Sequence, residues 1–246
     1  MSDSTEIRVT MDHAADSDGA FPVRRAAILA GAGYVLLFAL AIFANFLVRE
    51  GLIVAGDAAA TAANIAASEG LFRVGMVSFL IIFLIDVFVA WGLYILFRGV
   101  NRDLSLLTAW FRIVYTVFLG VALVFFFQAL QLLSGADFLS GVETDVINAT
   151  ALVALDSFNS TWLIGLTAFG VHVILIGYLI LRYGIAPKLL GIILVAAGAA
   201  YCADTIAHTV LANYADYAGL FTAIVALPAV IAEGWFGIWL LVKGGK

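Results

Sequence analysis

Residues 71 to 97 read Leu71-Phe-Arg-Val-Gly-Met-Val-Ser-Phe-Leu-Ile-Ile-Phe-Leu-Ile-Asp86-Val-Phe-Val-Ala-Trp-Gly-Leu-Tyr-Ile-Leu-Phe97, an apolar run interrupted by only two charged side chains, Arg73 and Asp86. As a helix it extends about 40 Å, more than the ~30 Å hydrocarbon thickness of a bilayer. Five further apolar segments lie to either side, at about residues 25 to 48, 104 to 133, 161 to 182, 189 to 211 and 219 to 243. The fold expected is therefore all-α, a polytopic bundle of six transmembrane helices. Composition agrees: of 246 residues, 64% are hydrophobic and 12% charged, with a mean hydropathy of +1.11, against roughly 45–50% apolar and roughly 25% charged in soluble domains. Six spans leave no room in these residues for a large soluble catalytic domain, so function is expected in or between the helices. A net charge of −5 and 12 scattered Lys and Arg argue against a nucleic-acid partner. The single cysteine, Cys202, excludes an intrachain disulfide and a thiolate metal site.

An even number of spans puts both termini on one side. Arg8, Arg24, Arg25, Arg98, Arg102, Arg182, Lys188, Lys243 and Lys246 fall on that side, which the positive-inside rule makes cytoplasmic. The opposite loops carry Glu50, Asp57, Glu69, Asp137, Glu143, Asp145 and Asp216 against one clear cation, Arg49. A multi-pass cell-membrane protein with both termini inside is the expectation.

Residues 1 to 22 read as a disordered, acidic cytoplasmic tail, and 23 to 246 as one integral membrane domain. Outside the spans, Asp57 looks like the N-cap of a short Ala-rich helix over 56 to 68, and a second short helix is expected over 145 to 160, leading into the fourth span. Both would cap the outer mouth. Pro187 suits the first turn of the fifth span, and Pro228 interrupts the hydrogen bonding of the sixth. The run Ala196-Ala-Gly-Ala-Ala200 allows close backbone approach and suggests a central place for the fifth span.

Ionisable side chains at span depth cost about 2.5–3.5 kcal/mol each on insertion scales and so require partners or a watery cavity. They are Asp86 in the second span, Arg112 in the third, His172 in the fourth, Asp204 and His208 in the fifth and Glu233 in the sixth, with Asp156 at the outer start of the fourth. Arg112 is the one intramembrane cation near two acids, Asp86 and Glu233, so an ion pair with at least one of them is expected. Tyr201, Asp204 and His208 recur at helical spacing on one stripe. His172, Asp204 and His208 together offer two imidazoles and a carboxylate, a donor set acceptable to zinc, with Asp86 or Asp156 as general base. The bland alternative is that these groups only fix helix packing.

The combination Val54-Ala-Gly-Asp57 with Asn64-Ile65, Glu69-Gly-Leu-Phe-Arg73, Asp86, Asn101-Arg102, Phe111-Arg112, Leu155-Asp156, His172 with Gly177-Tyr178, Asp204 with His208, and Glu233 resembles the membrane family catalogued as domain of unknown function 4386. The resemblance covers about residues 22 to 244 and implies a single integral membrane domain without supplying an activity. A more distant similarity is to ceramidase-like membrane hydrolases, which surround an intramembrane zinc with Ser, Asp and three His. Ser78, Asp86, His172, Asp204 and His208 offer a similar palette. This sequence departs from that pattern in having six spans where seven stand and Asp204-x-x-x-His208 in place of a histidine pair.

Three functions follow from these residues. One is a metal-assisted hydrolase of a lipid-like amide or ester. Another is a small-molecule or proton-coupled carrier or sensor that uses Asp86, Asp204 and Glu233. The third is a non-catalytic membrane scaffold. In each the lipid bilayer is a partner, and in the first two a lipid or small molecule is the ligand.

Overall fold

A computed structural model describes residues 21–246, which contain no β-strand. The first 20 residues of the expected tail lie outside the described residues. Six helices are long and apolar enough to cross a membrane: α1 (Val23–Leu52), α3 (Glu69–Arg98), α4 (Arg102–Leu132), α5 (Thr144–Tyr183), α6 (Lys188–Val210) and α7 (Ala218–Val242). The short α2 (Ala58–Ala67) joins α1 to α3.

Local chemistry sets the boundaries. The Asp57 carboxylate accepts the Ala60 N–H at 2.9 Å, as an N-cap should. Asn101 does the same for α4, accepting from Leu104 N at 3.0 Å, while its amide donates to the Tyr183 hydroxyl at 3.0 Å and ties this turn to the end of α5. α5 ends at Gly184, whose φ of 68° is the left-handed region that glycine enters without strain. Within α1, Phe43–Arg49 is π-helical, a wide turn frequent at functional sites.

Each spanning helix packs on its neighbours in sequence, and α7 closes on α1, so the six form a ring. That corrects the central place expected for the fifth span. α6 is one member of the ring, and its small residues serve contact with α5. A Cβ on Gly170 would come within 2.6 Å of the Gly198 carbonyl oxygen, and one on Gly177 within 2.7 Å of the Gly191 carbonyl oxygen. The separate helix expected over 145 to 160 is the first part of the 40-residue α5. No Gly or Pro lies between residues 145 and 164 to break it, and the Ser157 hydroxyl bonds back to the Val153 carbonyl. This extension packs against α2 and α4, with Phe158 stacked on Phe126 at 3.8 Å between ring centroids.

We call the end holding Val23 and Val242 proximal and the end holding α2 distal. α1 and α7 are joined proximally. Arg24 donates to the carbonyls of Leu240 (3.0 Å), Gly244 (2.8 Å) and Leu241, satisfying acceptors that the end of α7 leaves open. Distally, the π-helical segment of α1 packs against α3.

Candidate functional site

Four helices bring their polar side chains to one level inside the ring. Asp86 on α3, Arg112 on α4, His172 on α5 and Tyr34 on α1 are all buried, none more than 5% exposed. Counted along their helices, Asp86, Arg112 and His172 lie about 15 to 18 Å from the proximal ends, close to mid-membrane depth.

Arg112 organises this level. Its Nε donates to Asp86 Oδ1 at 2.9 Å and Nη2 to the same oxygen at 2.5 Å. Nη1 donates to the Tyr34 hydroxyl at 2.7 Å and lies 3.2 Å from His172 Nε2. The guanidinium carbon stands 4.7 Å from the Tyr34 ring centroid and 5.4 Å from that of Phe169, so the charge is also held against aromatic faces. His172 Nδ1 lies 2.8 Å from the Thr108 carbonyl oxygen. A carbonyl only accepts, so Nδ1 carries the hydrogen and Nε2 accepts from Arg112. The expected ion pair of Arg112 is therefore with Asp86.

Glu233 on α7 is half-buried at the same level and accepts the Tyr201 hydroxyl on Oε1 at 2.9 Å. Above this layer, on the distal side, a cavity of about 600 Å³ runs between α1 and α7. Tyr34, Asp86, Arg112, Tyr201 and Glu233 form its floor, and Asn45, Arg49 and Trp162 line its distal part. Val35, Ile42 and Phe46 of α1 and Val230 and Ile238 of α7 line it too, and all five are exposed. The cavity thus opens sideways, between α1 and α7. The π-helical segment supplies the distal wall. Arg49 Nη1 donates to Asn45 Oδ1 at 3.2 Å and its guanidinium carbon stands 5.3 Å from the Trp162 ring centroid.

His172, Asp204 and His208 are not brought together. Both ring nitrogens of His172 are engaged by Arg112 and Thr108. Asp204 accepts the Tyr214 hydroxyl at 2.6 Å near the distal end of α6, and His208, exposed one turn further on, packs its ring 4.5 Å from that of Tyr214. Burial, aided by the Asp204 carboxylate, holds the Tyr214 phenol above its ordinary pKa. Asp156 is exposed on α5. The Ser78 hydroxyl is bonded to the Val74 carbonyl of its own helix. Among the described residues no three His, Cys, Asp or Glu side chains lie close enough to hold a metal ion together, so the residues do not fit the expected zinc.

Sequence reading missed Tyr34, Asn45 and Arg49 as site residues. The signal for Tyr34 was present: a lone phenol in an otherwise apolar stretch, at the same depth as Asp86 and Arg112. Asn45 and Arg49 both lie in the π-helical segment, and nothing in the local sequence announces that turn.

A ring of six spanning helices around a polar floor and a laterally open cavity is the architecture of a multi-pass membrane protein. The chain belongs to the family described as domain of unknown function DUF4386, whose model matches residues 29–244. An uncharacterized protein from Archaeoglobus fulgidus is 29% identical over 171 residues, spanning 70% of this chain and 84% of that protein. No solved structure matches.

Proposed function

We propose that this protein binds an amphipathic small molecule, as a carrier or sensor, taking it from the bilayer between α1 and α7 onto the polar floor. The cavity itself carries this reading. Its volume of about 600 Å³ lies within the roughly 300–1,000 Å³ usual for small-molecule sites, and its composition, apolar walls with a few convergent polar groups, is theirs too. The sideways entrance is bordered by apolar side chains that an aqueous solute would not pass but an amphiphile would.

Binding is favoured over hydrolysis by the bonds on the floor. The Asp86 carboxylate is paired with Arg112, and both nitrogens of His172 are occupied, so neither stands beside a nucleophile as a free base. A scaffold whose polar residues only fix packing would fill its interior, and this ring does not.

Gly234 supplies the test. It lines the cavity, and a Cβ there meets nothing within 4 Å. Gly234→Phe puts a large side chain at the cavity lining from a position whose Cβ meets no neighbour, and it replaces a helix-interior glycine, a gain of roughly 0.5 kcal/mol or less. In nanodiscs the variant is expected to melt no lower than wild type and to lose saturable binding of a fluorescent fatty alcohol. Equal saturable binding by both proteins would overturn the proposal.

A further inference from the structure

The charges around the cavity do not balance. Five formally charged side chains line it: Arg49 and Glu50 at the distal mouth, and Asp86, Arg112 and Glu233 at the floor. Arg49 and Glu50 are adjacent in sequence and offset each other in the region where headgroups lie. On the floor, Asp86 and Arg112 form a salt bridge, and every nitrogen of the Arg112 guanidinium is engaged by Asp86, Tyr34 or His172. Glu233 is the remaining acid. It forms no salt bridge among the described residues, and its one hydrogen bond there is the Tyr201 hydroxyl on Oε1. Oε2 takes no hydrogen bond, yet no buried oxygen lacks a partner; Oε2 is therefore accessible, on a residue that lines the cavity.

A carboxyl group at mid-membrane depth that opens onto a cavity is either neutral or matched by a cation, and a cationic guest supplies the match. The surrounding side chains favour the same guest. Tyr115 and Tyr201 line the cavity beside Tyr34 and Phe169, whose faces already hold the Arg112 guanidinium, and Trp162, whose face holds that of Arg49. Aromatic faces attract organic ammonium groups through their quadrupoles. An anionic guest would instead meet the carboxyl groups of Glu233 and Asp86, while four of the five guanidinium hydrogens of Arg112 are already engaged.

We propose that the ligand of this cavity is a lipophilic organic cation, whose protonated amine pairs with Glu233 between aromatic faces and whose apolar body lies along the cleft between α1 and α7. This rests on the reading of the cavity as an amphiphile site.

Three amphiphiles of one chain length separate the two ideas: dodecylammonium, dodecanol and dodecanoate, titrated calorimetrically at neutral pH into protein in phosphatidylcholine nanodiscs, with empty nanodiscs as the blank. Dodecylammonium is expected to bind wild type about ten-fold or more tighter than dodecanol, the least that one charge-assisted hydrogen bond supplies. Glu233→Gln is expected to abolish that ratio, while Glu233→Asp keeps a preference for the amine. Equal affinity for the three, a preference for dodecanoate, or an undiminished ratio in Glu233→Gln would overturn the cation assignment and leave the amphiphile site standing. No saturable binding of any of the three to folded wild type would overturn both. The comparison of ligands on wild type is decisive by itself should Glu233→Gln fail to fold.

Discussion

Arg112→Leu should be the most damaging single change on the cavity floor, and less so once Asp86 is also neutralised. Arg112 is 2% exposed and Asp86 1%, so removing the guanidinium strands a carboxylate in low dielectric, a loss of about 3–5 kcal/mol for a broken buried pair. The Tyr34 hydroxyl and His172 Nε2 lose their bonds to Nη1 as well, adding about 1–3 kcal/mol per group left unsatisfied. Asp86→Asn in the same chain removes the stranded charge but restores neither of those bonds. The double variant should therefore recover about 2–3 kcal/mol relative to the sum of the singles. Glu233 shares no hydrogen bond with Arg112 and interacts with it only through its charge, so Arg112→Leu with Glu233→Gln should couple more weakly than the Asp86 double. Denaturation in mixed detergent micelles, followed by tryptophan fluorescence, measures all five variants against wild type. Additivity in the Asp86 double, or coupling confined to the Glu233 double, would refute the assignment of Asp86 as the partner.

The remaining expectations concern the frame around the cavity. Arg24→Ala frees the carbonyls of Leu240, Leu241 and Gly244 and should speed hydrogen exchange at the end of α7 while leaving α4 and α5 unchanged; equal protection in the variant would contradict the clamp. Gly177→Leu drives a side chain into the Gly191 backbone, where even the Cβ lies 2.7 Å from oxygen, and should lower stability by about 1–3 kcal/mol as an overpacked contact. An unchanged unfolding midpoint would mean that α5 and α6 do not touch there. Reporter fusions should place residue 100 and the C-terminus on the cytoplasmic side and residues near 57, 140 and 215 outside; an outside signal from residue 100 would reverse the orientation.

Much of the architecture was legible because hydrocarbon imposes a simple rule. Every backbone polar group must be satisfied within its own segment, so each long apolar run has one answer, a helix. The Asp57 cap was readable for the same kind of local reason. The floor was half legible. Insertion cost singles out Asp86, Arg112 and Glu233 as groups needing partners, and one cation for two acids limits the pairings. What sequence could not supply was rotation about the helix axes. Asp204 and His208 are one turn apart on α6, which suggested a shared inward stripe with Tyr201, but Tyr201 turns to Glu233 while Asp204 is held by Tyr214 in the following turn. His172 is claimed by Arg112 and Thr108, contacts 60 and 64 residues away in sequence. Nor did apolar residues distinguish themselves: Phe38 and Val225 read like any other lipid-facing side chains, and only the parting of α1 from α7 makes them walls of a cavity.

Saturable photolabelling tests the cavity most directly. A fatty alcohol carrying a diazirine, cross-linked to the protein in nanodiscs and mapped by mass spectrometry, should mark Phe38 and Ile42 on α1 and Val225, Ala226 and Val230 on α7, all on the cavity lining. Unlabelled dodecanol should suppress those marks. Labelling spread evenly over the exposed outer faces of α3 and α4, at Phe88, Val117 and Val124, and insensitive to dodecanol, would contradict an amphiphile site between α1 and α7.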